Sequence, residues 1–242
     1  MRFEWGAASD TGRERTSNED SYLAGPTVFA VADGMGGHRG GEVASDIAVT
    51  VLQELGSAPL SDAGMLGKAV EAAHQRILAM GHERADLAGM GTTLTGVAAV
   101  GAGPEQHWAV FNVGDSRVYR RLGDELAQLT IDHSEVQELV DAGVLSPAEA
   151  RIDLRRNVIT RSLGNEPTPA PDVWELTPQV GEQFIVCSDG LTGELSDDEI
   201  AGVLAAARAP QQAADRLVAA AVSAGGHDNV TVVVVETTAT EA

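Results

Sequence analysis

The chain has 242 residues, 43% of them hydrophobic, enough for a sizeable core, and no stretch approaches the roughly eighteen consecutive apolar residues of a membrane span. Thirty-six acidic against 16 basic residues leave a formal charge of −20, which argues against nucleic acid and anionic membrane as partners. The single cysteine, Cys187, lies inside the apolar run FIVC without an internal disulfide partner, and MRFEWGAASD carries no apolar leader, so the reading is a cytoplasmic protein with a buried, inert thiol.

Alternation and β-branched content predict strands at Phe3–Ser9, Asp20–Leu23 and Thr27–Ala32. Helical spacing follows in Val43, Ala44, Ile47, Ala48, Val51, Leu52 and Leu55, and again in Leu66, Ala69, Val70, Ala73 and Ile77. Strands resume at Thr92–Val100, His107–Val113, Arg117–Arg121 and Glu125–Leu129. From Asp132 to Asp172 the pattern turns short and polar, with two capped helical pieces, Ser134 with Gln137 and Ser146-Pro147 with Glu149, before RIDLRRNVITRSLGNEPTPAP. About forty residues with so little core-forming periodicity read as a functional flap with few core contacts. Its Arg151, Arg155, Arg156 and Arg161 form one of the few basic clusters on an acidic chain.

Strands at Val173–Leu176 and Gln183–Ser188 come next. A capping box, Ser196 with Glu199, opens a helix through Ile200, Val203 and Leu204. A further helix is marked by Ala213, Ala214, Leu217, Val218, Ala221 and Val222, and the last strand, Val230–Glu236, leads into a short polar tail. Two helices stand together between strand groups and two more before the last strand, whereas a doubly wound parallel sheet would alternate strand and helix throughout. The expectation is one α+β domain over residues 1–242, with largely antiparallel sheets packed together and covered by helix pairs.

Four aspartates stand at the ends of apolar strands: Asp33 in VFAVADG, Asp115 after WAVFNVG, Asp189 in FIVCSDG and Asp228 in GGHDNVTVVVV. Any one is an ordinary turn aspartate. Four of them at the rim of a packed β core bring carboxylates face to face, and carboxylates so placed suit hard divalent cations. Gly34, without a side chain, can bring its carbonyl equally close. MGGHRGG lacks the lysine and spacing of a P-loop.

RERTSNED, AVADGMGG, NVGDSR, CSDGLTGEL and GGHDNVTV occur in the order and approximate spacing of the type 2C metal-dependent serine/threonine protein phosphatase family (PPM), and the chain resembles its bacterial branch from about residue 6 to residue 237. The resemblance implies a four-layer αββα sandwich of two stacked antiparallel sheets flanked by helix pairs. It implies that Asp33 bridges two Mn2+ or Mg2+ ions, that Gly34 gives its carbonyl to one, and that Asp189 and Asp228 bind the other. Glu19 and Asp20 resemble outer-shell groups that hold metal-bound water. Asp115 is similar to the aspartate that, with Asp189, supports a weaker third ion, and Arg15 to the arginine that grips the substrate phosphate. Two cations about 3.5–4 Å apart acidify a bridging water and neutralise phosphoryl oxygens during in-line displacement, so no protein nucleophile is needed. Cys187 lacks a phosphate-binding loop after it.

Eukaryotic relatives carry a histidine after the DG pair, where this chain has Met35, which leaves the general acid open between His38 and a metal-bound water. His133 and His227, beside Asp132 and Asp228, read as ligands, second-shell donors or plain loop histidines. The expected activity is hydrolysis of phosphoserine and phosphothreonine on proteins by a monomer, opposing a bacterial-type serine/threonine kinase. A phosphatase dedicated to one regulatory phosphoprotein of the anti-sigma antagonist type, and a non-catalytic pseudophosphatase, are the alternatives; intact Asp33, Asp189 and Asp228 argue against the latter. No contiguous calcium loop is present.

Overall fold

The computed structural model describes residues 2–36 and 40–239. Strands β1 (Arg2–Asp10), β2 (Asp20–Ala24) and β3 (Val28–Met35) precede helices α1 (Gly40–Leu55) and α2 (Gly64–Glu83). Then come β4 (Gly91–Thr92), β5 (Leu94–Val100), β6 (His107–Val113), β7 (Arg117–Leu122) and β8 (Glu125–Gln128). Short helices α3 (Glu135–Asp141) and α4 (Pro147–Ala150) occupy the polar stretch. The chain continues through β9 (Asp172–Leu176), β10 (Gln183–Cys187), α5 (Asp189–Thr192), α6 (Asp197–Ala206), α7 (Pro210–Ala224) and β11 (Val230–Thr238).

One sheet runs β1-β11-β10-β7-β8; the other runs β2-β3-β5-β6-β9, with β4 attached to β3. Neighbouring strands pair antiparallel throughout. The period-2 pattern divides the apolar residues among three layers. Along β3, Val28, Ala30 and Ala32 pack against α1 and α2, whereas Phe29 and Val31 face the other sheet. Along β11, Val230, Val232 and Val234 lie under α6 and α7, whereas Val233 and Val235 join the layer between the sheets. The result is helix pair, sheet, sheet, helix pair. A one-residue slip would not expose β3 but would put Phe29 and Val31 where Ala30, Ala32, Ala44 and Ala48 let α1 lie close, so side-chain volume sets the register.

Between the sheets, Trp108 lies 4.6 Å from Phe3 and 5.1 Å from Phe184, ring centre to ring centre, in tilted packing. Its indole Nε1 donates to Thr237 Oγ1 (3.3 Å), which donates in turn to Glu182 Oε1 (3.3 Å). Glu182 is fully buried, and Arg120 closes on its other oxygen at 2.6 Å. Gln179 N also donates to Oε1 at 2.9 Å. A buried carboxylate is tolerated here because both of its oxygens are satisfied.

Two of the three predicted caps form full capping boxes. Ser196 Oγ accepts from Glu199 N while Glu199 Oε2 accepts from Ser196 N, opening α6, and Ser146 and Glu149 do the same for α4. Ser134 Oγ caps α3 through Gln137 N (3.3 Å), but the Gln137 amide turns away to Asp141. Among the described residues no helix is long and apolar enough to cross a membrane.

Two departures from the sequence reading matter below. The strand expected over Thr92–Val100 breaks at Thr93, which leaves the ladder to hold the backbone of Asp33, and β3 continues past Ala32 to Met35 because β4 pairs with its end. The polar stretch is also tied to the core more firmly than its composition indicates. Leu163 is fully buried in the α1/α2 layer, its backbone pairs in both directions with Thr92, and Gly164 N donates to the buried His74 Nδ1 (3.1 Å).

Glu182→Ala strips Arg120 and Thr237 of their shared partner in the interior, where breaking a buried pair costs about 3–5 kcal/mol. Urea unfolding is expected to show a loss of that size with the m-value unchanged, and Glu182→Gln, which keeps the shape and one of the two acceptor oxygens, to lose less.

Candidate metal centre

Asp33 ends the apolar part of β3, opposite Asp20 of β2 in the ladder. Its backbone is held on both sides: Asp33 N donates to Thr93 Oγ1, while Asp33 O accepts from Thr93 N and from Thr92 Oγ1, each at 2.9 Å. Thr93 Oγ1 also lies 2.8 Å from Ser116 Oγ, which couples this strand to the turn bearing Asp115. That turn needs Gly114 at φ +108°, and a Cβ there would lie 2.6 Å from the Thr93 methyl.

The glycine after Asp33 is a packing requirement. A Cβ on Gly34 would stand 2.2 Å from Gly41 O and 2.5 Å from Glu19 O, and one on Gly41 would stand 2.4 Å from Glu19 Oε2. Glycine at both positions lets the first turn of α1, the end of β3 and the Glu19 backbone meet with nothing between them.

Asp189 opens α5 one residue beyond β10, and Asp228 stands two residues before the start of β11. The residue after Asp228 organises its surroundings. Asn229 Oδ1 accepts from Glu19 N (2.8 Å), and Asn229 Nδ2 donates to Thr11 O and Ser17 O (2.9 Å each). This bracket encloses the irregular segment that carries Arg15, whose Nη2 donates to Asp228 Oδ2 at 2.7 Å. Ser188 Oγ donates to Asp20 Oδ2 at 2.8 Å.

The structure therefore brings Arg15, Glu19, Asp33, Gly34, Asp115, Asp189 and Asp228 to one cavity of about 590 Å3, with Asp20 behind its wall. Desolvation, reinforced by Asp20, Asp189, Asp115 and Asp228, holds the Asp33 carboxyl well above the usual carboxylate range. Burial, then Asp189 and Asp132, does the same to Asp115, and burial followed by Asp228 raises Asp189. Burial pushes Asp20 up to about 7 despite its hydroxyl donors.

This is an anionic site short of positive charge, and the donor set fits hard cations. The buried Asp20 Oδ1 and Asp115 Oδ1 have no hydrogen-bond partner, and the available ligands are all oxygen. Among the described residues no three acidic or histidine side chains already stand in metal-binding geometry, and Asp228 is turned to Arg15.

The two loop histidines do not line the cavity. His133 is buried, accepts from Gly114 N at Nδ1 (3.1 Å) and meets Asp172 at Nε2 (3.1 Å), and so supports the Asp115 turn. His227 is exposed and paired with Glu194 at 2.6 Å, which raises its pKa. Met35 lines the cavity and has no proton to give; His38 lies outside the described residues. Cys187 is fully buried, and desolvation pushes its thiol up to about 12, as an inert thiol requires. The sequence reading missed Thr93, Ser188 and Asn229. Only Asn229 had a signal, since it directly follows a strand-end aspartate in GGHDNV.

The protein phosphatase 2C family profile matches residues 12–221. The chain is 40% identical over 239 residues to serine/threonine protein phosphatase PstP of Mycobacterium tuberculosis, covering 97% of this chain and 45% of that protein, so it spans a little under half of that relative's length. It is 37% identical over 239 residues to serine/threonine phosphatase stp of Listeria monocytogenes, covering 94% of this chain and 93% of that one. The crystal structure of the PstP catalytic domain in complex with two manganese ions superposes with a TM-score of 0.90 at 38% identity, covering 98% of this chain and 99% of that chain. With a profile match over most of its length and relatives at this identity, the chain belongs to the protein phosphatase 2C family.

Proposed function

We propose that this protein hydrolyses phosphoserine and phosphothreonine on proteins with Mn2+ or Mg2+ as cofactor. The observation that carries the reading is the convergence of Asp33, Asp115, Asp189 and Asp228 on one cavity with a single guanidinium, Arg15, beside them. Asp33, Asp189 and Asp228, with the Gly34 carbonyl, would hold two tight ions; Asp115 with Asp189 would hold a weaker third, and Glu19 and Asp20 would orient water around them. The manganese pair belongs to the PstP structure, and its transfer to these residues rests on the shared fold and the oxygen-only donor set.

Bound metal supplies Lewis-acid charge that acidifies water and offsets the developing charge on the phosphoryl group. The chain's own residues do the rest. Arg15 presents two N–H donors to phosphate oxygens and leaves Asp228 to do so, which frees that carboxylate for a cation. Thr92 and Thr93 keep Asp33 fixed as charge is added, so little reorganisation remains at the reaction. The 132–172 segment is read as a flap over this site within a single catalytic domain. The protein would act as a monomer in the cytoplasm on the products of a serine/threonine kinase, and the buried Cys187 agrees with a reducing compartment. The intact carboxylate set favours turnover over phosphoprotein capture.

Hydrolysis of an aryl phosphate is expected to stop in excess EDTA and to return with Mn2+. Asp33→Asn is expected to lower kcat by about three orders of magnitude and to abolish the tight calorimetric Mn2+ sites. Full turnover by a chelated enzyme shown to be metal-free would contradict the reading.

The pH dependence of the metal-free fold follows from the crowded carboxylates. Asp20 titrates near 7 in the folded protein and near 4 in an unfolded chain, so its stabilising protonated form is fully present below about 4 and is lost as pH rises through about 7. The melting temperature of the EDTA-treated protein is expected to fall between pH 5 and pH 8, with a shallower fall in Asp20→Asn. Mn2+ should flatten the profile and release protons on binding near pH 6.5, read as a buffer-dependent calorimetric enthalpy.

A further inference from the structure

Beside the metal cavity lies a second cleft of about 360 Å3, and Asp115, Asn157 and Asp189 line both. Val136 and Val140 of α3, with Pro147 and Ala150 of α4, form its apolar side. On the opposite side Arg117 and Asp132 offset each other at 2.6 Å, while Asp197 accepts from the neutral Tyr119 Oη at 3.1 Å. Asp115 and Asp189 belong to the metal centre, which leaves Asp197 as the acid of the cleft without a basic partner among the described residues.

The basic cluster read from the sequence does not survive folding. Arg155 is paired with Asp153 (2.9 Å) and Glu135 (3.3 Å), Arg161 with Asp172 (3.2 Å), and Arg151 donates to the carbonyls of Thr192 (3.3 Å) and Leu195 (3.5 Å). Arg156 alone of the four, among the described residues, has an exposed guanidinium with neither ion pair nor hydrogen bond, and it stands at the cleft. The same stretch leaves Val144, Ile152 and Leu154 at 64%, 80% and 95% exposure, an apolar display that the fold itself does not use.

We infer that this cleft is a side-chain subsite for the phosphoprotein, taking an apolar residue of the substrate against Val136, Val140, Pro147 and Ala150 while Arg156 pairs with a neighbouring acidic residue. The inference rests on the phosphatase reading above. Continuity with the metal cavity places the occupant on the same polypeptide as the phosphoresidue, because the chain leaving that cavity passes Asn157 into the cleft. The chemistry selects the occupant: an apolar wall rewards buried hydrocarbon, and an unpaired guanidinium on a protein of charge −20 is a rare attractor for a carboxylate. An aryl phosphate reaches the metals and Arg15 but not this cleft.

The test measures kcat/KM on phosphothreonine peptides in which one leucine and one glutamate are walked along an alanine and serine background, with an aryl phosphate alongside, at fixed ionic strength and saturating Mn2+. The wild-type enzyme is expected to prefer leucine at one position by about tenfold over alanine, with glutamate preferred next to it. Arg156→Ala is expected to remove the glutamate preference and leave that for leucine. Val140→Trp, which fills the cleft, is expected to remove the leucine preference. Brisk aryl phosphate turnover with no positional preference, or preferences that survive both substitutions, overturns the subsite while leaving the phosphatase reading intact. No turnover of aryl phosphate or any peptide overturns both.

Discussion

Carboxylates brought together out of bulk water repel one another, and each must find a proton, a guanidinium or a cation. The rest of this structure is arranged around that requirement. Burial and neighbouring acids raise the Asp33 and Asp189 carboxyls, Asp228 leans on Arg15, and Asp20 and Asp115 each keep one oxygen without a partner. A flexible protein would relieve the strain by moving the acids apart. Here they cannot separate, because each is fixed to the end of a strand or the first turn of a helix in a close-packed sandwich.

The scaffold supplies that rigidity from both sides of each sheet. The central strands β3, β5, β10 and β11 are apolar on both faces, and each fully buried Val, Ile or Phe contributes roughly 1.5–3 kcal/mol. The carboxylate cluster is then a modest local cost on a large favourable term. Polar bonds near the site are short-range refinements. Thr93 clamps Asp33 and reaches Ser116, and Asn229 brackets the loop of Arg15, so two separate acids and the phosphate-gripping candidate share one frame.

Much of this was legible in the sequence because it is carried by periodicity and by strand ends. The alternation in VFAVADG and VTVVVV identifies strands, the Ser-x-x-Glu pairs identify helix starts, and aspartates that close apolar strands identify the rim. What stayed hidden depends on contacts between segments far apart in the chain. Nothing local in GTTLTG announces that Thr93 will leave its strand to hold Asp33, sixty positions earlier. The four flap arginines look alike in the sequence, and only the fold shows that Asp153, Glu135 and Asp172 neutralise two of them, that the carbonyls of Thr192 and Leu195 hold a third, and that Arg156 is left over. Leu163, one apolar residue in a polar run, gave no sign that it anchors the stretch in the core.

The central claim is that the repulsion at the strand ends is relieved by two divalent ions centred on Asp33. Anomalous diffraction from crystals grown with Mn2+ tests it most directly. The account predicts two strong manganese peaks in contact with the Asp33 carboxylate, with Asp228 turned off Arg15. Crystals in which manganese leaves Asp33 unliganded, with the Arg15–Asp228 pair still in place, would contradict it.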